Sequence, residues 1–195
     1  MNAVLENIKT RRSVRRYRSE QISDCELESI IEAGRYAPSG GNAQTCHFLV
    51  IQRPDVLQRL CEVVRDAFSQ MEINEDLYPS IQNSIAISKR GEYAFFFHAP
   101  TLVVVANQIG YPNAMADSAC ALENMMLCAA SLHVSSCWIN QLRWLDNHPE
   151  IRKYMLSLGL NESETICGAV ALGYAVAPAA LPVLRKGNPV TYIRA

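Results

Sequence analysis

The chain has 195 residues, of which 49% are hydrophobic and 19% charged, and its formal net charge is −1 at pH 7. This length fits a single domain, residues 1–195, that buries a sizeable core, and the near-neutral charge disfavours nucleic-acid binding through overall positive charge. The high apolar fraction predicts that part of the surface is buried against another copy of the chain.

The N-terminal residues lack the apolar core of a signal peptide, and no apolar run approaches the roughly 18 residues of a membrane helix. We therefore expect a cytoplasmic protein without a membrane partner. The seven cysteines are scattered and include no C-x-x-C pair. This pattern predicts reduced, mostly buried cysteines and favours neither a disulfide framework nor a metal site.

Residues 10–18, here called the arginine segment, contain five arginines among nine residues. Guanidinium groups form forked hydrogen bonds to phosphate or carboxylate, and Ser13 adds a hydroxyl donor within the segment. The pattern predicts binding of a phosphate group. Arginine runs near a terminus are more often a solvated face with surface ion pairs, so the segment alone does not decide between these interpretations.

The first clear helix is predicted to begin at a capping box that pairs Ser23 with Glu26, and to end before Pro38. The loop 37–42, Ala-Pro-Ser-Gly-Gly-Asn, combines permissive glycines with small polar groups, so it allows a flat ligand to approach the backbone. The apolar run His47 to Gln52 predicts a buried strand.

A helix starting at Pro54 and another around Ile81 to Ile87 are expected next. Residues 93–97 hold four aromatic side chains, for which we favour core packing over a cover above a ligand. The run Leu102 to Ala106 predicts a central strand. Asn113 to His133 predicts a long helix, apolar on nearly every face, for which we favour a dimer seam over a monomer core.

The remaining segments predict a turn at Val134 to Ile139, a helix from about Pro149 to Leu158 and a buried strand from Thr165 to Tyr174. A proline-containing tail follows Pro178. Three or four strands among five or six helices indicate an α+β fold.

Four separated stretches of this chain resemble the FMN-dependent nitroreductase family. They are Arg11-Arg12-Ser13-x-Arg15 with Tyr17, the loop from Ala37 to Gln44 with His47-Phe48, the helix from Asp117 with its exit at Trp138, and Ala171-Leu172-Gly173-Tyr174 followed by Arg185-Lys186. The stretches occur in order and span nearly the whole chain. The chain departs from the family pattern at Thr45 and Cys46, where many members have Pro-Trp.

The resemblance implies a three-layer α+β fold with a central mixed, mostly antiparallel sheet, a homodimer formed through long helices, and FMN at the subunit interface. It implies that the FMN phosphate and ribityl chain are bound by Arg11, Arg12, Ser13 and Arg15, with Arg185 closing on the phosphate from the tail. It implies that Pro38, Ser39 and Asn42 line the isoalloxazine ring from the partner subunit, and that Ser135 and Ser136 supply backbone contacts near its reactive edge.

The implied activity is electron transfer from NADH or NADPH through FMN to a nitroaromatic, a quinone or a similar small acceptor, by a ping-pong route. No catalytic side chain and no metal ligand are expected, because the flavin carries the chemistry. Two alternatives remain open. One is another flavin reaction on the same fold, such as dehalogenation or oxidation of a metabolite, and the other is a non-catalytic protein whose arginine segment binds a phosphate or another anion.

Overall fold

The computed structural model describes residues 2–178 and 180–194, so the predicted domain of residues 1–195 is described without Met1, Ala179 and Ala195. Within these ranges a four-stranded sheet lies between helices. The elements are α1 (Ala3–Thr10), α2 (Asp24–Arg35), β1 (His47–Ile51), α3 (Pro54–Ser69), α4 (Pro79–Lys89), β2 (Thr101–Gln108), α5 (Ala114–Ser131), β3 (Ser135–Ile139), α6 (Gln141–Trp144), α7 (Pro149–Ser157) and β4 (Glu164–Gly173).

The strands lie in the order β1-β2-β4-β3, and all three neighbouring pairs are antiparallel. The predicted central strand is confirmed, because β2 is buried from Thr101 to Asn107. The sheet is less mixed than expected: the only parallel element among the described residues is an isolated bridge between Ser13 and Ser136.

Alternate residues of β2 build the two halves of the core. Val103 and Val105 pack with α2 and α5 on one face, whereas Leu102 and Val104 pack with α3 and α7 on the other. Because successive side chains of a strand point to opposite faces, an uninterrupted apolar strand requires a helical layer on each side. The predicted three-layer α+β architecture is therefore confirmed.

The predicted helix boundaries have the expected local causes. In the capping box of α2, Glu26 N–H donates to Ser23 Oγ at 3.3 Å and Ser23 N–H donates to Glu26 Oε2 at 2.8 Å. Helix α5 ends where His133 adopts a left-handed conformation with φ 61°, and Val134 N–H donates back to the carbonyl of Ala129 at 2.9 Å. This tight C-terminal turn sends the chain directly into β3.

Two local predictions were wrong. Val134 to Ile139 is not a turn, because residues Ser135–Ile139 form edge strand β3 paired with β4. The serines suggested a turn, but Cys137 and Ile139 bury their side chains in the core, and this burial favours a strand. The sequence reading also missed α1, whose N-cap Asn2 accepts hydrogen bonds from the N–H groups of Val4 and Leu5.

Burial corrects two further predictions. Strand β1 is an edge strand, and its Val50 is 41% exposed. Only Cys137 and Cys167 of the seven cysteines are buried. Within one chain, α5 exposes Met115, Ala116 and Cys120, which disfavours the monomer-core alternative and leaves the favoured dimer seam a prediction. The aromatic cluster is core as predicted, with Tyr93, Phe95 and Phe96 buried.

Candidate functional site

The arginine segment follows the outer edge of the sheet in extended conformation. Ser13 pairs with Ser136 of β3, and Val14 N–H donates to the carbonyl of Ser136 at 2.9 Å. Beyond β4, Arg18 N–H donates to the carbonyl of Tyr174 at 2.8 Å. These backbone bonds cover the start of the open edge of β3 and hold the arginines beside it.

The segment borders a cavity of about 490 Å³, here called the arginine cavity. Its described lining comprises Thr10, Arg11, Arg12, Val14, Arg18, Ala130, His133, Val134, Ser135, Ser136 and residues 174–178. This lining contains three guanidinium groups and one imidazole, and no carboxylate belongs to it. The volume falls in the range of small-molecule sites, and the charge selects an anion.

The polar atoms of Arg12 are incompletely paired inside the chain. One terminal nitrogen donates to the carbonyl of Arg11, while its buried Nε has no hydrogen-bond partner among the described atoms. Arg11 itself has one charged partner, Glu123, at 3.9 Å from its Nε. Buried donors are normally paired, so an anion that accepts from Arg12 would satisfy it.

A second cavity of about 330 Å³, the adjoining cavity, shares Arg12 and Val14 with the first. Ser13, Arg15 and Arg16 line it, as do residues 176–178 and 180. The Arg15 guanidinium carbon lies 5.7 Å from the ring centre of Phe97, a cation–π distance that orients this side chain.

Pro38 and Ser39 line a third cavity of about 170 Å³, the loop cavity, together with Gly34, Arg35, Ala37, Gln44, Cys46, Phe48 and Asp117. Asn42 does not line it and is exposed, with φ 56°. Residues Gly40–Asn42 form a single 3-10 turn, closed by a bond of 3.1 Å from the Ala43 N–H to the Gly40 carbonyl, and the Gln44 N–H donates to Ser39 Oγ, also at 3.1 Å.

The arginine cavity and the loop cavity lie at opposite ends of α5. Ala130 lines the first and Asp117 the second, and these residues are separated by 13 positions on one helix. At about 1.5 Å of rise per residue, the separation along the helix axis is about 20 Å. One chain therefore does not bring the predicted phosphate contacts beside Pro38 and Ser39, whereas Ser135 and Ser136, predicted near the reactive edge of the ring, line the arginine cavity.

The predicted residue Arg185 lies in an exposed, extended tail and is absent from the lining of all three cavities. The apolar side chains around it are exposed as well, including Leu181 at 86% and Leu184 at 78%. Convergence of Arg11 and Arg185 on one phosphate remains a prediction.

The cysteine thiols near these cavities are not activated as nucleophiles. Burial raises the pKa of the Cys137 thiol, although the Arg15 guanidinium acts in the opposite direction. Burial also raises the pKa of Cys46 in the loop cavity. Thiols with raised pKa values stay protonated near neutral pH and react poorly. Across residues 2–178 and 180–194, no group of three or more His, Cys, Asp or Glu side chains could hold a metal ion.

Four polar residues of the arginine cavity were not among the predicted site residues: Thr10, Arg18, His133 and Tyr174. Thr10 and Arg18 belong to the arginine segment, and Tyr174 ends the fourth stretch that resembles the family. His133 had no sequence signal, because it reaches the cavity through the left-handed turn that ends α5.

Comparison with known proteins identifies the family of this chain. The model of the family described as "Nitroreductase family" matches residues 8–174. A relative from Archaeoglobus fulgidus, named "Putative NADH dehydrogenase/NAD(P)H nitroreductase", is 30% identical over 89% of this chain and 86% of its own length.

Solved structures of nitroreductases are also similar to this chain. A nitroreductase from Bacteroides fragilis, solved with bound FMN, is 40% identical over 100% of both chains, with a TM-score of 0.89. A nitroreductase from Desulfitobacterium hafniense, also solved with FMN, is 24% identical over 100% of both chains, with a TM-score of 0.85, and supports the fold. None of the described helices is long and apolar enough to cross a membrane. The cation-lined cavity, the three-layer fold and the match over residues 8–174 lead to one conclusion: the chain belongs to the nitroreductase family.

Proposed function

We propose that this protein is an FMN-dependent oxidoreductase that moves electrons from NAD(P)H to a small acceptor such as a nitroaromatic or a quinone. The observation that carries the proposal is the arginine cavity, which presents three guanidinium groups and no carboxylate in a chain of this family. The related protein from Bacteroides fragilis, 40% identical, was solved with FMN.

The residues present fit the phosphate end of FMN. The unpaired Nε of Arg12 and the weakly paired Arg11 provide donors for a dianion, and Ser13 adds a hydroxyl beside them. Arg15 and the Ser135–Ser136 pair extend this row of donors along β3. When bound, FMN would supply the redox chemistry, taking two electrons from NAD(P)H and passing them to the acceptor.

The chain's own contribution is then to bind, orient and stabilise charge. Arginines hold the phosphate through charge-assisted hydrogen bonds, which are about twice as strong as neutral ones. Fixed positive charge near the ring would also favour the reduced, more negative cofactor. A ping-pong route requires donor and acceptor to use the same pocket in turn.

We also propose that the complete site needs two copies of the chain. The loop cavity with Pro38 and Ser39 lies about 20 Å along α5 from the arginine cavity, so within one chain the two cavities are separate. Two α5 helices packed antiparallel about a two-fold axis would bring the Asp117 end of one beside the Ala130 end of the other.

Unpaired apolar surface supports this dimer. Helix α1 exposes Val4, Leu5 and Ile8, and α5 exposes Met115 at 40%. Exposed apolar side chains on helices that lie against one another are available for an interface between two copies of the chain. In the dimer, the exposed tail would cross to the partner and bring Arg185 to a phosphate. A cytoplasmic location and a single domain spanning residues 1–195 remain predictions.

The direct test is whether the purified protein binds FMN, which is visible as yellow colour, and whether NAD(P)H reduces the bound FMN. Purified protein mixed with FMN should retain yellow flavin after gel filtration, and anaerobic NADH or NADPH should bleach its visible absorption. Initial rates at several acceptor concentrations should give parallel double-reciprocal lines, as expected for ping-pong kinetics.

Specific outcomes would contradict the proposal. A colourless protein that gains no thermal stability from FMN would favour the non-catalytic anion-binding alternative. A flavoprotein that NADH and NADPH never bleach would exclude electron transfer from NAD(P)H and favour another flavin reaction.

A further inference from the structure

The loop that carries Pro38 and Ser39 is tied to the first turn of α5 by Asp117. The N–H of Gly40 donates to both carboxylate oxygens of Asp117, at 3.2 Å each. The carbonyl of Gly40 lies 3.2 Å from the Tyr111 hydroxyl, which also lies 2.9 Å from Asp117 Oδ2. The backbone polar groups of Gly40 therefore face one acid and one phenol.

Side chains pack closely around the backbone of Gly40. A Cβ atom on Gly40 would come within 2.2 Å of Asn113 Nδ2 and 2.8 Å of the Tyr111 hydroxyl, so an alanine at this position would displace both side chains. The next residues are strained, because Asn42 and Gln44 have φ values of 56° and 52°. Left-handed non-glycine residues cost free energy, and external contacts are needed to hold them.

Among the described residues, the Asp117 carboxylate has no arginine or lysine within ion-pair distance, and its hydrogen bonds go to the loop and to Tyr111. Asp117 is 6% exposed and sits in the first turn of α5, where the helix dipole favours negative charge. Its hydrogen bond raises the pKa of the Tyr111 hydroxyl, as expected for a donor that faces a carboxylate. Asp117 also lines the loop cavity beside Ser39, so a shift of its side chain would move the wall of that cavity.

We propose that Asp117 is a positioning residue that holds the Pro38–Ser39 wall against the flavin ring bound by the other copy of the chain, acting through the Gly40 N–H. This inference rests on the proposed function. It assigns Asp117 to the geometry at the ring and not to retention of the phosphate, because Asp117 lines the loop cavity with Pro38 and Ser39 and lines neither cavity of the arginine segment.

The test compares FMN-loaded Asp117→Ala, Asp117→Asn and Gly40→Ala with wild type, and Asp66→Asn on the exposed face of α3 serves as the matched control. The measurements are the FMN dissociation constant, the visible circular dichroism of the bound flavin, and KM and kcat for a quinone acceptor. Both alanine variants should alter the flavin dichroism and raise KM about tenfold, because ring contacts are misplaced, while the FMN dissociation constant changes less than about threefold. Asp117→Asn should be intermediate, since its amide oxygen still accepts the Gly40 N–H.

The outcomes separate this inference from the proposed function. If the variants lower only the melting temperature, and flavin dichroism and KM keep their wild-type values, Asp117 is merely structural and the inference fails while the function stands. If Asp117→Ala loses FMN as severely as a phosphate-site variant, its assignment to the ring is wrong. Wild-type protein that takes up no FMN would overturn both. Should the alanine variants not fold, Asp117→Asn and Tyr111→Phe decide by the same measurements.

Discussion

Replacing Arg11 with alanine should weaken FMN binding and leave the stability of the FMN-free protein nearly unchanged. The Arg11 side chain is 22% exposed, and its ion-pair partner Glu123 is 3.9 Å away and 47% exposed. Such a pair contributes about 0–1 kcal/mol to stability, so FMN-free Arg11→Ala should unfold near the wild-type temperature. A hydrogen bond to a charged phosphate contributes more, about 2 kcal/mol, and its loss corresponds to a dissociation constant about 30-fold higher.

The assay is a titration of FMN fluorescence with protein at two salt concentrations, together with the melting temperature of the FMN-free protein. Arg11→Lys should be intermediate, because it keeps the charge and loses the fork. Wild-type affinity should fall with added salt more steeply than that of Arg11→Ala. Arg53→Ala is the matched control, since this exposed arginine pairs only with Asp55 among the described residues. An Arg11→Ala dissociation constant within about threefold of wild type would remove Arg11 from the phosphate site.

Three further predictions concern folding and assembly. Glu26→Ala should destabilise the protein by about 1 kcal/mol in urea unfolding, because it removes a capping box and the 2.6 Å bond from the Tyr174 hydroxyl. Hydrogen bonds from Ser23 and then Tyr174 lower the pKa of Glu26, so wild type should keep this contribution above about pH 4.5 and lose it at lower pH; a pH-independent difference would contradict this. Gly168→Ala should cost about 1–3 kcal/mol, since its Cβ would meet Leu122 Cδ1 at 2.9 Å, and an unchanged melting temperature would refute the clash. Ala116→Glu, on the exposed face of α5, should give a 21.7 kDa monomer by light scattering, whereas a persistent dimer would exclude α5 from the interface.

The local signals that were interpreted correctly are those whose cause lies within a few residues. The capping box at Ser23, the proline that starts α3 and the uninterrupted apolar run of β2 each act over one turn or one strand. The N-cap Asn2 was an equally local signal, and it would have identified α1 had it been considered. The prediction of a turn at Val134 to Ile139 was wrong because its serines favour a turn whereas its other residues favour a strand. Pairing with β4, which lies about 30 residues further along the chain, makes it a strand.

For the candidate site, the sequence by itself determined the chemistry: a dense arginine segment, a glycine-containing loop and the family to which both belong. Only the tertiary structure decided the geometry. It paired the arginine segment with β3, turned His133 into the cavity, and separated that cavity from the loop by about 20 Å of α5. The physical reason is the distance along the chain over which each interaction acts. Capping, turn chemistry and charge are local properties, whereas strand pairing joins residues tens of positions apart and, for the bridge between Ser13 and Ser136, more than a hundred.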